Sequence, residues 1–169
     1  GTLDPKDIKI PGVLVDYIVQ SDTADHLMTW DHEFNPAFNG DLKVPVDSLP
    51  AMELNNRKII ARRCAMELIP DAVVNLGIGM PEGVSSIAAE EGVEGMVLTT
   101  EAGTIGGVPA GGGSFGAATN AHAIIDQPYQ FDFYDGGGVD LAILGLAEAD
   151  EHGNINVSKF KGRVAGCGG

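Results

Sequence analysis

The sequence is poor in basic residues. Lys and Arg total 10 against 24 Asp plus Glu, which leaves a formal net charge of −14. Binding to a phosphate backbone draws on a surplus of Lys and Arg, so nucleic acid is not an expected partner. A small phosphorylated molecule is still compatible, because backbone amides and one or two local cations suffice to hold it. Cysteine is scarcer still. Cys64 and Cys167 have no paired spacing, which suits a reducing cytoplasm and argues against a disulfide framework. The four histidines are scattered singly, and His32-Glu33 lacks the spacing of a ligand pair, so no metal site is expected. No apolar run approaches the roughly 20 residues that a membrane-spanning helix needs, and no membrane partner is expected.

Glycine is abundant, at 24 of 169 residues, and 44% of the chain is hydrophobic, enough to bury a core of about one domain. The first residues read differently from the rest. Ile8 to Val19 suggests two short extended segments broken at Pro11-Gly12. Trp30, Phe34 and Phe38 then follow among prolines 36, 45 and 50 without sustained periodicity, and read as packing anchors of an irregular connector. From Met52 the pattern becomes regular. Ile60, Cys64 and Leu68 recur at helical spacing up to Pro70, with Arg57, Arg62 and Glu67 between them. Val73-Val74-Asn75-Leu76 reads as a short buried strand closing on Gly77-Ile78-Gly79. Pro81 suits the first turn of a second helix with Val84, Ile87 and Ala88 inward, and Gly92 ends it. Met96 to Thr100 is the next strand. Helix, strand, glycine turn, helix, strand is a βαβ pattern, so the expected fold is α/β with an open, mainly parallel sheet and helices on both faces.

Beyond the βαβ unit the reading is coarser. Ala121 to Tyr134 is ambiguous, with a helical turn expected in it, and His122 with Asp126 suggests a surface pair. Val139 to Leu144 reads as a third buried strand, and Ile155 to Ser158 as a strand returning from the turn at 150–154. The chain opens at Gly1 and closes at Gly166-Cys167-Gly168-Gly169, a poor place for a fold to finish, so a piece of a longer polypeptide is expected.

Two glycine turns carry the chemical interest. Gly77-Ile78-Gly79-Met80-Pro81-Glu82-Gly83 is not a dinucleotide fingerprint, because three residues separate Gly79 from Gly83 and Pro81 lies inside. A tight strand-to-helix turn explains Gly77 without any ligand. In the other turn, Met96-Val97-Leu98 leads into Thr99-Thr100-Glu101-Ala102-Gly103, with Gly106-Gly107 after it. A strand therefore delivers the Glu101 carboxylate to its own end, where parallel sheets place their chemistry. Both turns leave strands of one sheet at the same end and should border one crevice, with Asn75 within a side chain's reach of Glu101. From the residues alone, a lone carboxylate there fits a structural role as well as a chemical one.

Several motifs in order resemble the family I CoA-transferases: Asn75-Leu76-Gly77-Ile78-Gly79-Met80-Pro81, Glu101-Ala102-Gly103, Asp135-Gly136-Gly137-Gly138, Gly153 to Ser158, and Gly166-Cys167-Gly168-Gly169. Lys9-Ile10-Pro11-Gly12 and Asn35-Pro36-Ala37-Phe38 extend the likeness over nearly the whole chain, and the branch most similar is the acetate/propionate CoA-transferases that also act on ketoacids. The resemblance implies a CoA-transferase-like Rossmann-type domain, here incomplete, with 1–50 as an interdomain connector and 51–169 as the N-terminal part of the second domain. It implies Glu101 as nucleophile, forming a mixed anhydride and then a glutamyl-CoA thioester. Asn75, Gly77, Gly79, Gly103, Gly107 and Gly138 would bind substrate or CoA, and the backbone of Gly166, Cys167 and Gly168 would hold the oxyanion. CoA would be a substrate, with no cofactor besides. The family's first domain, or a complementary chain, and a homo-oligomer are the implied partners, and this chain is expected to be inactive alone. A related acyl-CoA hydrolase and a non-catalytic CoA- or nucleotide-binding module remain alternatives at this point.

Overall fold

Asn55 begins the regular structure by accepting, through its side chain, the backbone N–H groups of Arg57 and Lys58. The computed structural model describes residues 3–22, 25–48 and 50–166. After that cap come α1 (Asn56–Ala65), β1 (Val73–Leu76), α2 (Gly83–Glu91) and β2 (Val97–Thr99). Gly92 closes α2 in the left-handed region at φ 67°, a conformation that glycine adopts without the Cβ penalty. Short elements follow: β3 (Thr104–Ile105), β4 (Val108–Pro109), β5 (Ala118–Thr119), β6 (Ala123–Ile124), α3 (Gln127–Phe133) and β7 (Leu141–Ile143). The final described strands are β8 (Glu148–Ala149), β9 (Ile155–Asn156), β10 (Lys159–Phe160) and β11 (Arg163–Val164).

β1 lies between β2 and β7, parallel to both, with Asn75 beside Thr99 on one side and Ala142 on the other. β3 and β6 extend the sheet antiparallel beyond β2, giving the order β6-β3-β2-β1-β7. The remaining pairs, β4-β5, β8-β9 and β10-β11, are separate hairpins. Alternation along β1 divides the two faces of the sheet. Val74 and Leu76 join Leu98, Ala61, Ala65, Val84 and Ile87 in the apolar core, so α1 and α2 cover that face. Asn75 and Thr99 point the other way, towards α3 and Tyr134 at its C-terminus. The fold is thus α/β with a mainly parallel sheet and helices on both faces, as expected.

Several local expectations need correction. In α1 the buried residues are Ala61 and Ala65, whereas Ile60 is 47% exposed. The inward face is turned by one residue because α1 and α2 approach closely. A methyl on Gly83 would sit 3.2 Å from the Ala61 Cβ, a gap that only small residues allow. The helix also stops at Ala65, not at Pro70. The Val139–Leu144 strand is shorter and only partly buried, because β7 forms one edge of the five-stranded sheet. Residues 8–19 hold a single 3-10 turn at Gly12–Leu14 in place of two extended segments, and Tyr17, Ile18 and Val19 are exposed. Of the three expected anchors, Phe38 is buried, while Trp30 and Phe34 lie in the open because no core element passes over them. The ambiguous Ala121–Tyr134 stretch resolves into β6 and α3. Asp126 at its N-cap faces Lys9 at 3.6 Å, not His122. Only Ile155 and Asn156 of the returning segment form a strand, and they pair with β8 outside the main sheet. No helix among the described residues is long and apolar enough to cross a membrane, and no cluster of potential metal ligands occurs among them.

Candidate active site

Glu101 stands two residues past the end of β2, in the turn into β3. The turn is tight. Gly103 donates its N–H to the Thr100 carbonyl, Thr100 donates to Thr104, and the Thr100 and Thr104 hydroxyls lie 2.7 Å apart. Gly103 sits at φ 116°, and any Cβ there would collide with the Ile125 carbonyl oxygen, so only glycine lets β6 come this close. This crowding leaves Glu101 only 7% exposed.

Asn75 meets Glu101 across the parallel β1–β2 pair. Its Nδ2 donates to Glu101 Oε1 at 3.0 Å, so the two residues expected to share a crevice are in direct contact. Glu101 Oε2 is buried and has no hydrogen-bond partner among the described residues. The carboxylate is therefore held by one oxygen and buried without a described partner at the other, a desolvated acceptor.

Behind this pair is a polar layer that the sequence pattern did not single out. Tyr134 places its hydroxyl 2.6 Å from Thr99 Oγ1 and 3.3 Å from Asn75 Oδ1. Gln130, fully buried, donates through Nε2 to the Thr100 carbonyl at 3.0 Å and to the Tyr134 oxygen at 2.9 Å. Burial raises the Tyr134 phenol above its ordinary value of 10.0, and the charge of Glu101 pushes the same way, so the hydroxyl keeps its proton at neutral pH. The available signal was Gln130 and Tyr134 four residues apart, at helical spacing, with Phe131 and Phe133 between them.

The other expected site residues divide by what the fold already asks of them. Gly77 donates its N–H to the Ile143 carbonyl, joining β1 to the end of β7. The Gly79 N–H is taken by Glu82 Oε2 at 3.1 Å, and the other oxygen of Glu82 accepts from Gly112 at 3.2 Å. This glycine turn is thus filled by a carboxylate of its own chain. Gly107, at φ 74°, passes against the Thr119 carbonyl, and Gly138 passes against the ring of Phe133. Gly166 follows the β10–β11 hairpin, away from the five-stranded sheet in topology, while Cys167 and Gly168 lie outside the described residues. A cleft of about 610 Å³ opens elsewhere, between the connector at Asp31, Asn35 and Phe38 and the outer side of α2 at Ala89 and Glu90.

Known proteins are similar to this chain. The chain is 50% identical, over all of its length, to a caffeate CoA-transferase of Acetobacterium woodii, of which it covers 34%. It is 42% identical, again over its full length, to the acetate CoA-transferase YdiF of Escherichia coli O157:H7, of which it covers 32%. The crystal structure of the apoenzyme of that acyl-CoA transferase superposes with a TM-score of 0.78 at 40% identity, covering 98% of this chain and 30% of that one. A second crystal structure, described as its thioester complex with CoA, superposes at 0.68 and 38% identity with the same coverage. The chain is also 34% identical over 127 residues to the acetate CoA-transferase subunit beta of E. coli strain K12, covering 69% of this chain and 57% of that subunit. No family model matches. The chain spans about a third of the length of its two full-length relatives. In sequence and in backbone alike, the chain is similar to about a third of these CoA-transferases.

Proposed function

We propose that this chain carries the nucleophile of an acyl-CoA:carboxylate CoA-transferase, and that Glu101 is that nucleophile. The observation that carries the reading is a carboxylate 7% exposed at a strand end, with Asn75 on Oε1 and no partner among the described residues on Oε2. Oε2 attacks the thioester carbonyl of the acyl-CoA. The tetrahedral adduct expels the CoA thiolate and leaves a mixed anhydride between Glu101 and the acyl group. The thiolate then adds to the glutamyl carbonyl and expels the acyl group as its carboxylate, giving a glutamyl-CoA thioester. An incoming carboxylate reverses both steps and departs as the new acyl-CoA, with Glu101 restored. No proton, metal or redox group enters the balance, and CoA is a substrate, not a cofactor.

Asn75 suits each stage. Its Nδ2–H faces the oxygen that is in turn carboxylate, carbonyl and oxyanion, and a donor already in place costs no reorganisation when charge returns to that oxygen. Burial of Oε2 strips the nucleophile of the water that would otherwise have to leave before attack. The printed names of the relatives, caffeate and acetate CoA-transferase, and the thioester complex of one of them with CoA support this class of substrate and intermediate. The proposal includes a short-chain acid acceptor, a cytoplasmic setting, a homo-oligomer, and dependence on the remaining two thirds of the longer protein for activity.

The test is made on the full-length enzyme. Incubated with acyl-CoA and no acceptor, it should hold CoA on the peptide containing Glu101, visible by mass spectrometry and reducible by borohydride. Glu101→Gln should abolish both the adduct and transfer to acetate. An adduct on another residue, or transfer that survives in Glu101→Gln, overturns the assignment. Loss of the acyl group to water in place of acetate would mark a hydrolase, and no turnover a binding module.

A further inference from the structure

We propose that Tyr134 and Gln130 are positioning residues of the transfer reaction: they fix which end of the Asn75 amide faces Glu101 and pin the backbone that delivers Glu101. The inference rests on Glu101 being the nucleophile. A side-chain amide presents an oxygen and an NH₂ of nearly the same shape, and the two are interchanged by a half-turn. Facing a carboxylate, the NH₂ end binds and the oxygen end repels, so the orientation of Asn75 decides whether Glu101 is supported or pushed away.

The hydrogen-bond network settles that orientation from groups that cannot reverse. Backbone carbonyls only accept. Gln130 Nε2 must therefore be the atom on the Thr100 carbonyl, 3.0 Å away, and the second hydrogen of the same NH₂ points to the Tyr134 oxygen at 2.9 Å. Tyr134 is thereby made an acceptor from Gln130, and its own proton is left for the opposite side. Thr99 is fixed in the same manner: its hydroxyl donates to the Val74 carbonyl at 3.1 Å and offers Tyr134 only a lone pair. The single Tyr134 proton then lies between two acceptors and is shared by them, Thr99 Oγ1 at 2.6 Å as the main one and Asn75 Oδ1 at 3.3 Å as the weaker. With Oδ1 facing the phenol, Nδ2 faces Glu101 Oε1 at 3.0 Å. The direction of donation thus runs from α3 to Tyr134, to Asn75, to the nucleophile.

Gln130 acts on the backbone as well, since Thr100, whose carbonyl it holds, immediately precedes Glu101. Its own Oε1 is buried and has no partner among the described residues. An orphaned acceptor is destabilising, and a purely structural helix residue at full burial would be expected to be apolar. What Gln130 does with its two N–H groups is the reason for keeping it.

The test uses full-length enzyme and Tyr134→Phe, which keeps the ring and removes the hydroxyl. The expected result is a loss of about tenfold in kcat, the size of one hydrogen bond, with KM changed by less than about twofold. A residue acting through Asn75 has nothing left to position once that amide is gone. In a double-mutant cycle, Tyr134→Phe should therefore add no loss to Asn75→Ala, a non-additivity that a general loosening of the fold would not produce. Wild-type kcat in Tyr134→Phe, or losses that multiply in the double variant, would overturn the positioning role while an inactive Glu101→Gln leaves the nucleophile in place. Full activity in Glu101→Gln would remove the nucleophile and the positioning role together.

Discussion

At the scale of single residues, the site depends on how closely two backbones approach. Gly103 is where that approach is most severe, because its Cβ would occupy the space of the Ile125 carbonyl, whose own N–H donates to Gly103 O at 3.0 Å. Gly103→Ala combines a collision with an unfavourable positive φ, and is expected to destabilise by more than about 1 kcal/mol. Chemical denaturation of the full-length protein reads that loss, and unchanged stability would mean that the Glu101 turn is far more yielding than its contacts suggest. Tyr134 gives a prediction in pH. Its folded pKa is raised above 10.0 chiefly by burial, so above pH 10 the unfolded chain loses this proton before the folded chain does. The stabilisation is complete below pH 10.0 and drains away as pH climbs through the folded value. Urea midpoints measured on either side of pH 10 should fall more steeply in the wild type than in Tyr134→Phe. Equal slopes would show that the phenol does not titrate differently in the two states.

Elements were legible where one strong period ruled. Val73–Leu76 is a strand in sequence and structure alike, and Gly92 stops α2 as its conformational freedom suggests. α1 was misread by one residue because its periodic large side chains, Ile60 and Cys64, compete with the alanines next to them. The pattern marks hydrophobicity, but close helix packing selects size. That difference is testable. Ala61 is fully buried against α2, so Ala61→Leu forces the helices apart and should cost about 1–3 kcal/mol. Ile60→Ala removes as many carbons as Ala61→Leu adds, but from a position 47% exposed, and should cost less than about 2 kcal/mol, below the range for a buried isoleucine. A reversed order, with Ile60→Ala the more damaging, would restore the sequence reading of that face. The contact between Glu101 and Asn75 was legible because strand ends and glycines bring the two together. Gln130 and Tyr134 were not, because their role comes from a helix docking on the far face of the sheet, which no local period records.

At the scale of the whole molecule, apolar side chains remain outside the core. Ile10, Val13, Leu14, Tyr17, Ile18 and Val19 are all exposed along the first residues, and Leu144 and Leu146 are exposed beyond β7. A stretch with this much uncovered apolar area is a surface for another partner to cover. The net charge of −14 supplies self-repulsion that keeps such a surface from associating without specificity. The covering partner we propose is a segment or chain equivalent to the rest of the relatives, of which this chain spans 32–34%. Carbene footprinting, read residue by residue by mass spectrometry, distinguishes the two situations. In the segment 1–169 alone, Tyr17, Ile18 and Val19 should be heavily labelled, as their exposures of 91%, 89% and 88% require. In the full-length protein the same three residues should be protected, while Asp150 and His152, in their exposed turn, label alike in both. Equal labelling of residues 17–19 in the two proteins would mean that this strip stays open in the complete enzyme, and that its apolar side chains face a separate partner.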